Sequence, residues 1–183
     1  WNIEDNSNEI SDRIYKSADL WSSPYHDEIK KLDWKQNYNP KYVEVSFANT
    51  CNFKCSYCGP TYSSTWMQEI EKHGSYPTTD EVNPYVEAFW KWWPDLYRDL
   101  HTFRITGGEP LLSKDTWKIF DWIIEQKDPN KKLSLSINSN LGVPDALIDK
   151  LIEKINILSR YDDDYKVNDF VIYTSVDGWG EHA

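Results

Sequence analysis

Phe103-Arg104-Ile105-Thr106-Gly107-Gly108-Glu109-Pro110 decides how this chain is read, because a short β-prone run passes directly into a turn of two glycines, an acid and a proline. The same grammar occurs three more times. Tyr42-Val43-Glu44-Val45-Ser46-Phe47-Ala48 alternates and leads into Cys51, Cys55 and Cys58; Leu133-Ser134-Leu135-Ser136-Ile137 leads into Asn138-Ser139-Asn140; and Phe170-Val171-Ile172-Tyr173-Thr174-Ser175-Val176 leads into Asp177-Gly178. Helical patterns fill the intervals at 63–72, 84–100 with an interruption at Pro94, 115–126 and 144–158. The last is the clearest: Leu147, Ile148, Leu151, Ile152 and Ile155 form one stripe, and Pro144 suits a first helical position. Strands alternating with helices of this length predict an α/β fold of parallel βαβ units with right-handed crossovers. Every special cluster then falls at the carboxyl end of its strand, the edge where α/β barrels and open parallel sheets hold ligands.

Composition narrows the function. The 183 residues carry 20 Lys and Arg against 30 Asp and Glu, a formal net charge of −10, which disfavours binding built on phosphate contacts, so no nucleic-acid partner is expected. An aromatic share of 15% is too high for a disordered acidic chain. No apolar run reaches the roughly 20 residues of a membrane span, and Trp1-Asn2-Ile3-Glu4-Asp5 lacks the basic and apolar blocks of a signal peptide, so no membrane association and a cytoplasmic location are expected. Met67 is the single methionine, and Trp1 reads as the cut end of a longer chain. Residues 1–40 form a polar N-terminal extension with one short helical candidate at 26–34, and residues 41–183 form the core domain.

The cysteines lie within Cys51-Asn52-Phe53-Lys54-Cys55-Ser56-Tyr57-Cys58, on a loop just past a strand end. Three cysteines packed into eight residues point to a metal or catalytic cluster rather than a disulfide framework. A structural zinc site takes four ligands, and its fourth would have to come from His26, His73, His101 or His182. An iron–sulfur cluster held by three thiolates leaves one iron open to a substrate or cofactor.

The spacing, with an aromatic residue just before the third cysteine, resembles the radical S-adenosylmethionine (radical SAM) superfamily. The resemblance extends over residues 41–180: Gly107-Gly108-Glu109-Pro110 is identical to that family's typical sequence after the second strand, Ser139-Asn140 is similar to its Thr-Asn-Gly turn, and Ser175-Val176-Asp177-Gly178 is similar to its fourth-strand ending. Leu141 departs from the glycine usual in the third turn. The resemblance implies a partial (β/α) barrel in which about four of six βα units are present, the chain ending after the fourth strand. It also implies that Cys51, Cys55 and Cys58 ligate a [4Fe–4S] cluster whose open iron is chelated by S-adenosylmethionine. Tyr57 would lie along the adenine. Gly107, Gly108, Glu109 and Pro110 would meet the methionine amino group. Ser139, Asn140, Ser175 and Asp177 would serve the ribose hydroxyls or the methionine carboxylate.

The same resemblance implies reductive cleavage of S-adenosylmethionine to a 5′-deoxyadenosyl radical that abstracts hydrogen from a substrate, with a flavodoxin or ferredoxin as reductase partner. Likeness to members with an auxiliary domain of the SPASM or twitch type leans the substrate towards a peptide or protein. The alternatives are a small-molecule substrate, such as a nucleoside or pterin precursor, and a non-catalytic cysteine–metal module. Trp66, Trp90, Trp92, Trp93, Trp117 and Trp122 read as core or interface, and Asp162-Asp163-Asp164 as a solvated loop.

Overall fold

The computed structural model describes residues 22–74, 84–159 and 163–175. The chain divides between Tyr38 and Asn39 into two units. In the first, helix α1 spans Ser23–Ile29, with Pro24 in its first turn, so it starts three residues before and ends five residues before the helical candidate at 26–34. Tyr38 Oη donates to Glu28 at 2.9 Å within that unit.

The second unit is built on four parallel strands, β1 (Tyr42–Ser46), β2 (Thr102–Thr106), β3 (Ser134–Ser139) and β4 (Asp169–Thr174), lying side by side in chain order. Helices α2 (Ser64–Glu71) and α3 (Pro84–Asp99) separate β1 from β2, α4 (Lys114–Ile124) separates β2 from β3, and α5 (Asp145–Leu158) separates β3 from β4. Sequential order with parallel pairing is the winding of a β/α barrel rather than of a doubly wound sheet, so the crossover helices collect on one face. The unit is thus a four-stranded part of such a barrel, as expected.

The helix-covered face is apolar because alternate strand residues point to it. Phe103, Ile105, Leu135 and Ile137 are fully buried there against Trp93, Leu96, Ile119, Phe120, Ile123 and Leu158. The Trp93 and Phe103 rings lie 4.7 Å apart and the Phe120 and Phe170 rings 5.5 Å apart, which seats α3 on β2 and α4 on β4. Two of the six tryptophans, Trp93 and Trp117, are buried, and Trp92 is exposed.

Two features of the sequence pattern are corrected. Pro94 does not interrupt α3, which continues from Pro84 to Asp99 around it. Its missing N–H and ring cost about 3 kcal/mol in a helix interior, and burial of Trp93, Leu96, Tyr97 and Leu100 on either side offsets this. Pro144 is the residue before the first turn of α5 rather than its first member, since its ψ of 143° is extended. Asp163 and Asp164 are exposed in a turn, and Asp162 lies outside the described residues.

Candidate functional site

The cysteine loop follows β1 and is held by the start of α2. Ser63 caps that helix, its Oγ accepting from Trp66 N and donating to the Phe53 carbonyl at 2.8 Å. Ser64 Oγ accepts from Cys51 N at 3.0 Å, and both Ser64 Oγ and Thr65 Oγ1 donate to the Cys51 carbonyl. Trp66 Nε1 donates to the Cys55 carbonyl at 3.1 Å, so this tryptophan shapes the loop. Sequence reading missed the role of Ser63-Ser64-Thr65, although a run of hydroxyl residues before a helical pattern is a helix-start signal.

The next loop packs directly against this one. Gly108 N donates to the Ala48 carbonyl at 3.1 Å and Glu109 N to the Thr50 carbonyl at 2.7 Å, continuing the β1–β2 pairing past both strand ends. A Cβ on Gly108 would lie 2.3 Å from the Thr50 carbonyl oxygen, and one on Gly107, at φ +124°, would lie 2.6 Å from that of Ala48. The space left by these glycines is therefore filled by the backbone that carries the cysteines.

Glu109 is 2% exposed. Its Oε1 accepts from Leu111 N at 3.0 Å and Ser139 Oγ at 2.8 Å, and its Oε2 from Asn140 N at 2.8 Å. All three donors are neutral. No Lys, Arg or His among the described residues pairs with this carboxylate, and Oε2 accepts one hydrogen bond where Oε1 accepts two.

The turn after β3 closes back on the cysteine loop. Asn52 Nδ2 donates to the Gly142 carbonyl at 2.7 Å, Asn140 Nδ2 donates to Asn52 Oδ1 at 3.2 Å, and Gly142 N donates to Asn140 Oδ1 at 2.7 Å. Leu141 takes the left-handed conformation, φ 54°, that the usual glycine would adopt without strain. The glycine lies one place later, where a Cβ on Gly142 would strike the Phe53 ring at 2.5 Å.

These contacts bring Cys51, Cys55, Cys58, Gly107, Gly108, Glu109, Pro110, Ser139 and Asn140 to one edge of the sheet. Pro110 is buried at the start of a single 3-10 turn, Pro110–Leu112. Ser139 and Asn140 spend their polar groups on Glu109, Asn52 and their own turn. Tyr57 is 70% exposed, so it is not core. Ser175 is exposed beside β3, its N–H 3.4 Å from the Ser139 carbonyl, and Asp177 lies outside the described residues.

The donor set suits an iron–sulfur cluster. All three cysteines are free and partly exposed. Phe53 N–H donates to Cys51 Sγ at 3.4 Å. Among the described residues no three His, Cys, Asp or Glu side chains converge on one metal ion, and His182, one candidate for a fourth zinc ligand, lies outside them. A cubane instead places each thiolate on a different iron.

The Radical SAM superfamily model matches residues 45–168 of this chain. Among curated proteins, a GTP 3′,8-cyclase of Mannheimia succiniciproducens is 34% identical over 97 residues, 53% of this chain and 26% of that protein. A molybdenum cofactor biosynthesis protein 1 of Dictyostelium discoideum is 25% identical over 179 residues, 90% of this chain and 26% of that protein. A GTP 3′,8-cyclase of Sulfurimonas denitrificans is 27% identical over 118 residues, 63% of this chain and 33% of that protein. The chain thus spans about a quarter to a third of the length of these relatives. No solved structure matches significantly.

Proposed function

The chain belongs to the radical SAM superfamily, whose members use a [4Fe–4S] cluster and S-adenosylmethionine, and from that membership we propose that it forms the cofactor-binding part of an enzyme acting on a small, nucleotide-like molecule. The observation that carries this reading is the convergence of three free cysteines with the Gly107–Pro110 loop at the carboxyl edge of a parallel sheet.

Cys51, Cys55 and Cys58 would hold the cluster, which when bound supplies the electron that cleaves S-adenosylmethionine to methionine and a hydrogen-abstracting 5′-deoxyadenosyl radical. The chain's own residues do the positioning. Ser63, Ser64, Thr65 and Trp66 hold the cysteine loop, and Asn52 and Asn140 pin it to the β3 turn. Glu109, with no cation paired to it among the described residues, would meet the methionine ammonium.

The relatives favour a small-molecule substrate over the peptide towards which the motifs lean, since those compared above are named as GTP 3′,8-cyclases or as a molybdenum cofactor biosynthesis protein. A flavodoxin or ferredoxin would supply the electron, and an oxygen-sensitive open cluster suits a reducing cytoplasm. No helix among the described residues is long and apolar enough to cross a membrane. The test uses the protein encoded by the whole reading frame, reconstituted without oxygen and reduced with dithionite. Formation of 5′-deoxyadenosine, accelerated by GTP with consumption of the nucleotide, is the expected result. No 5′-deoxyadenosine from cluster-loaded protein overturns the enzyme reading; formation that GTP leaves unchanged and a peptide accelerates overturns the substrate class.

A further inference from the structure

Helix α2 grips the cysteine loop from Cys51 to Cys55, and one of its grips is ionic. Lys54, which directly precedes Cys55, places its Nζ 3.0 Å from Glu69 Oε2. The same oxygen lies 3.6 Å from Lys72 Nζ. Glu69 stands three residues beyond Trp66, so the two side chains share one face of α2. Trp66 holds the Cys55 carbonyl through Nε1 at 3.1 Å, and its ring centroid is 6.0 Å from Lys54 Nζ. The Lys54 ammonium is thus fixed to the same helical face that fixes Cys55.

An ion pair in this position does little for folding, because the Lys54 and Glu69 side chains are 42% and 35% exposed and water screens them. Its effect on a neighbouring redox centre is of another kind. A reduced cluster carries one more negative charge than an oxidised one, so a nearby cation favours reduction and a nearby anion opposes it. Two lysines share one glutamate here, which leaves an excess of positive charge beside the cysteines of a chain whose formal net charge is −10.

We propose that Lys54 and Glu69 set the reduction potential of the cluster, Lys54 raising it and Glu69 restraining the ammonium and moderating its field. The inference rests on the reading above, in which Cys51, Cys55 and Cys58 hold the cluster. Neither residue is an iron ligand. Both are positioning residues that act through the cluster, and the step they govern is its acceptance of an electron from the reductase.

The test reads the potential itself. The whole-reading-frame protein is cluster-loaded without oxygen, and the electron paramagnetic resonance signal of the reduced cluster is followed against solution potential in the absence of S-adenosylmethionine. Iron per chain is measured in every variant. Lys54→Met removes the cation at similar side-chain length. It should lower the midpoint by about 30 mV or more, a change of about threefold in the ratio of reduced to oxidised cluster at about 59 mV per decade. Glu69→Gln should raise the midpoint, and Lys54→Arg, which keeps the charge, should stay close to the wild type. Opposite shifts at normal iron content are the expected result. Shifts of one sign, an unchanged midpoint in Lys54→Met, or an arginine variant that behaves as the methionine one overturns the proposal. Loss of iron from both Lys54→Met and Glu69→Gln also overturns it, since the pair would then be a structural latch. A wild-type preparation that forms no four-iron cluster overturns the underlying reading and the inference with it, whereas the other failures overturn the inference alone.

Discussion

Ser139 Oγ donates to Glu109 Oε1 across 2.8 Å inside a protein environment, tying the end of β3 to the loop after β2. With Leu111 N and Asn140 N on the same carboxylate, the side chain of Glu109 joins two loops that meet at the cysteines. Its substitution is therefore a structural event as well as a chemical one.

Glu109→Ala should lower unfolding free energy by roughly 3 kcal/mol or more, because hydrogen bonds to charged groups are worth about 1.5–3 kcal/mol and three donors lose their acceptor. Urea unfolding measures this. Glu109→Gln keeps an oxygen for Ser139 and Leu111 but turns an amide towards Asn140 N, so it should cost less. If the Gln variant folds and its reduced cluster responds to added S-adenosylmethionine as the wild type does, the charge of Glu109 is not spent on the cofactor.

Glycines near the cysteines should differ sharply. A Cβ at Gly59 meets nothing within 4 Å, whereas at Gly108 it meets a backbone oxygen at 2.3 Å that cannot rotate away. Gly59→Ala should change stability by less than about 1 kcal/mol. Gly108→Ala should cost about 3 kcal/mol or more and reduce cluster uptake, since the displaced backbone is that of Asn49 and Thr50 just before Cys51. Equal melting temperatures for the two variants would contradict this packing.

Much of this fold is legible because each strand carries its own signal: β-branched and aromatic runs ending in residues that strands avoid. The cysteines and Gly107–Pro110 were legible for the same reason, being rare residue types at fixed spacings. The contacts that Arg104 makes with Glu44, Asn138 and Tyr173 were not, because these residues lie on four strands and only the parallel register brings them together. Asn52 was equally silent, since its partners at 140 and 142 are some 90 residues away. Pro94 misled because local propensity argued for a break, while the decisive term was burial of Trp93 and Leu96 against a sheet formed later in the chain.

Cluster ligands should separate from loop supports by iron content. Cys51→Ala, Cys55→Ala and Cys58→Ala should each fall well below the about four irons and four sulfides per chain of the cubane. Asn52→Ala removes two side-chain hydrogen bonds at an exposed position and should lower stability by about 1 kcal/mol. Its iron should stay near normal, because it contributes no ligand. Full iron in the Cys55 variant would remove that residue from the ligand set.

Stability should also depend on pH through His101, at the amino end of β2. Burial, followed by the nearby Lys41 and Lys132 charges, holds its imidazole below the ordinary value of 6.5. The unfolded chain therefore binds a proton more readily than the folded one, and protonation favours unfolding. The contribution is fully present above pH 6.5 and is lost as pH falls towards the lower folded value. A melting temperature that declines on acidification from pH 7 to 5.5 is the expected trace. Carboxylates titrate at lower pH and would add to the decline only near its acid end. His101→Gln, which cannot be protonated, should flatten the curve between pH 7 and 6 while leaving the steeper acid limb in place. A parallel decline in that variant would assign the slope to other groups.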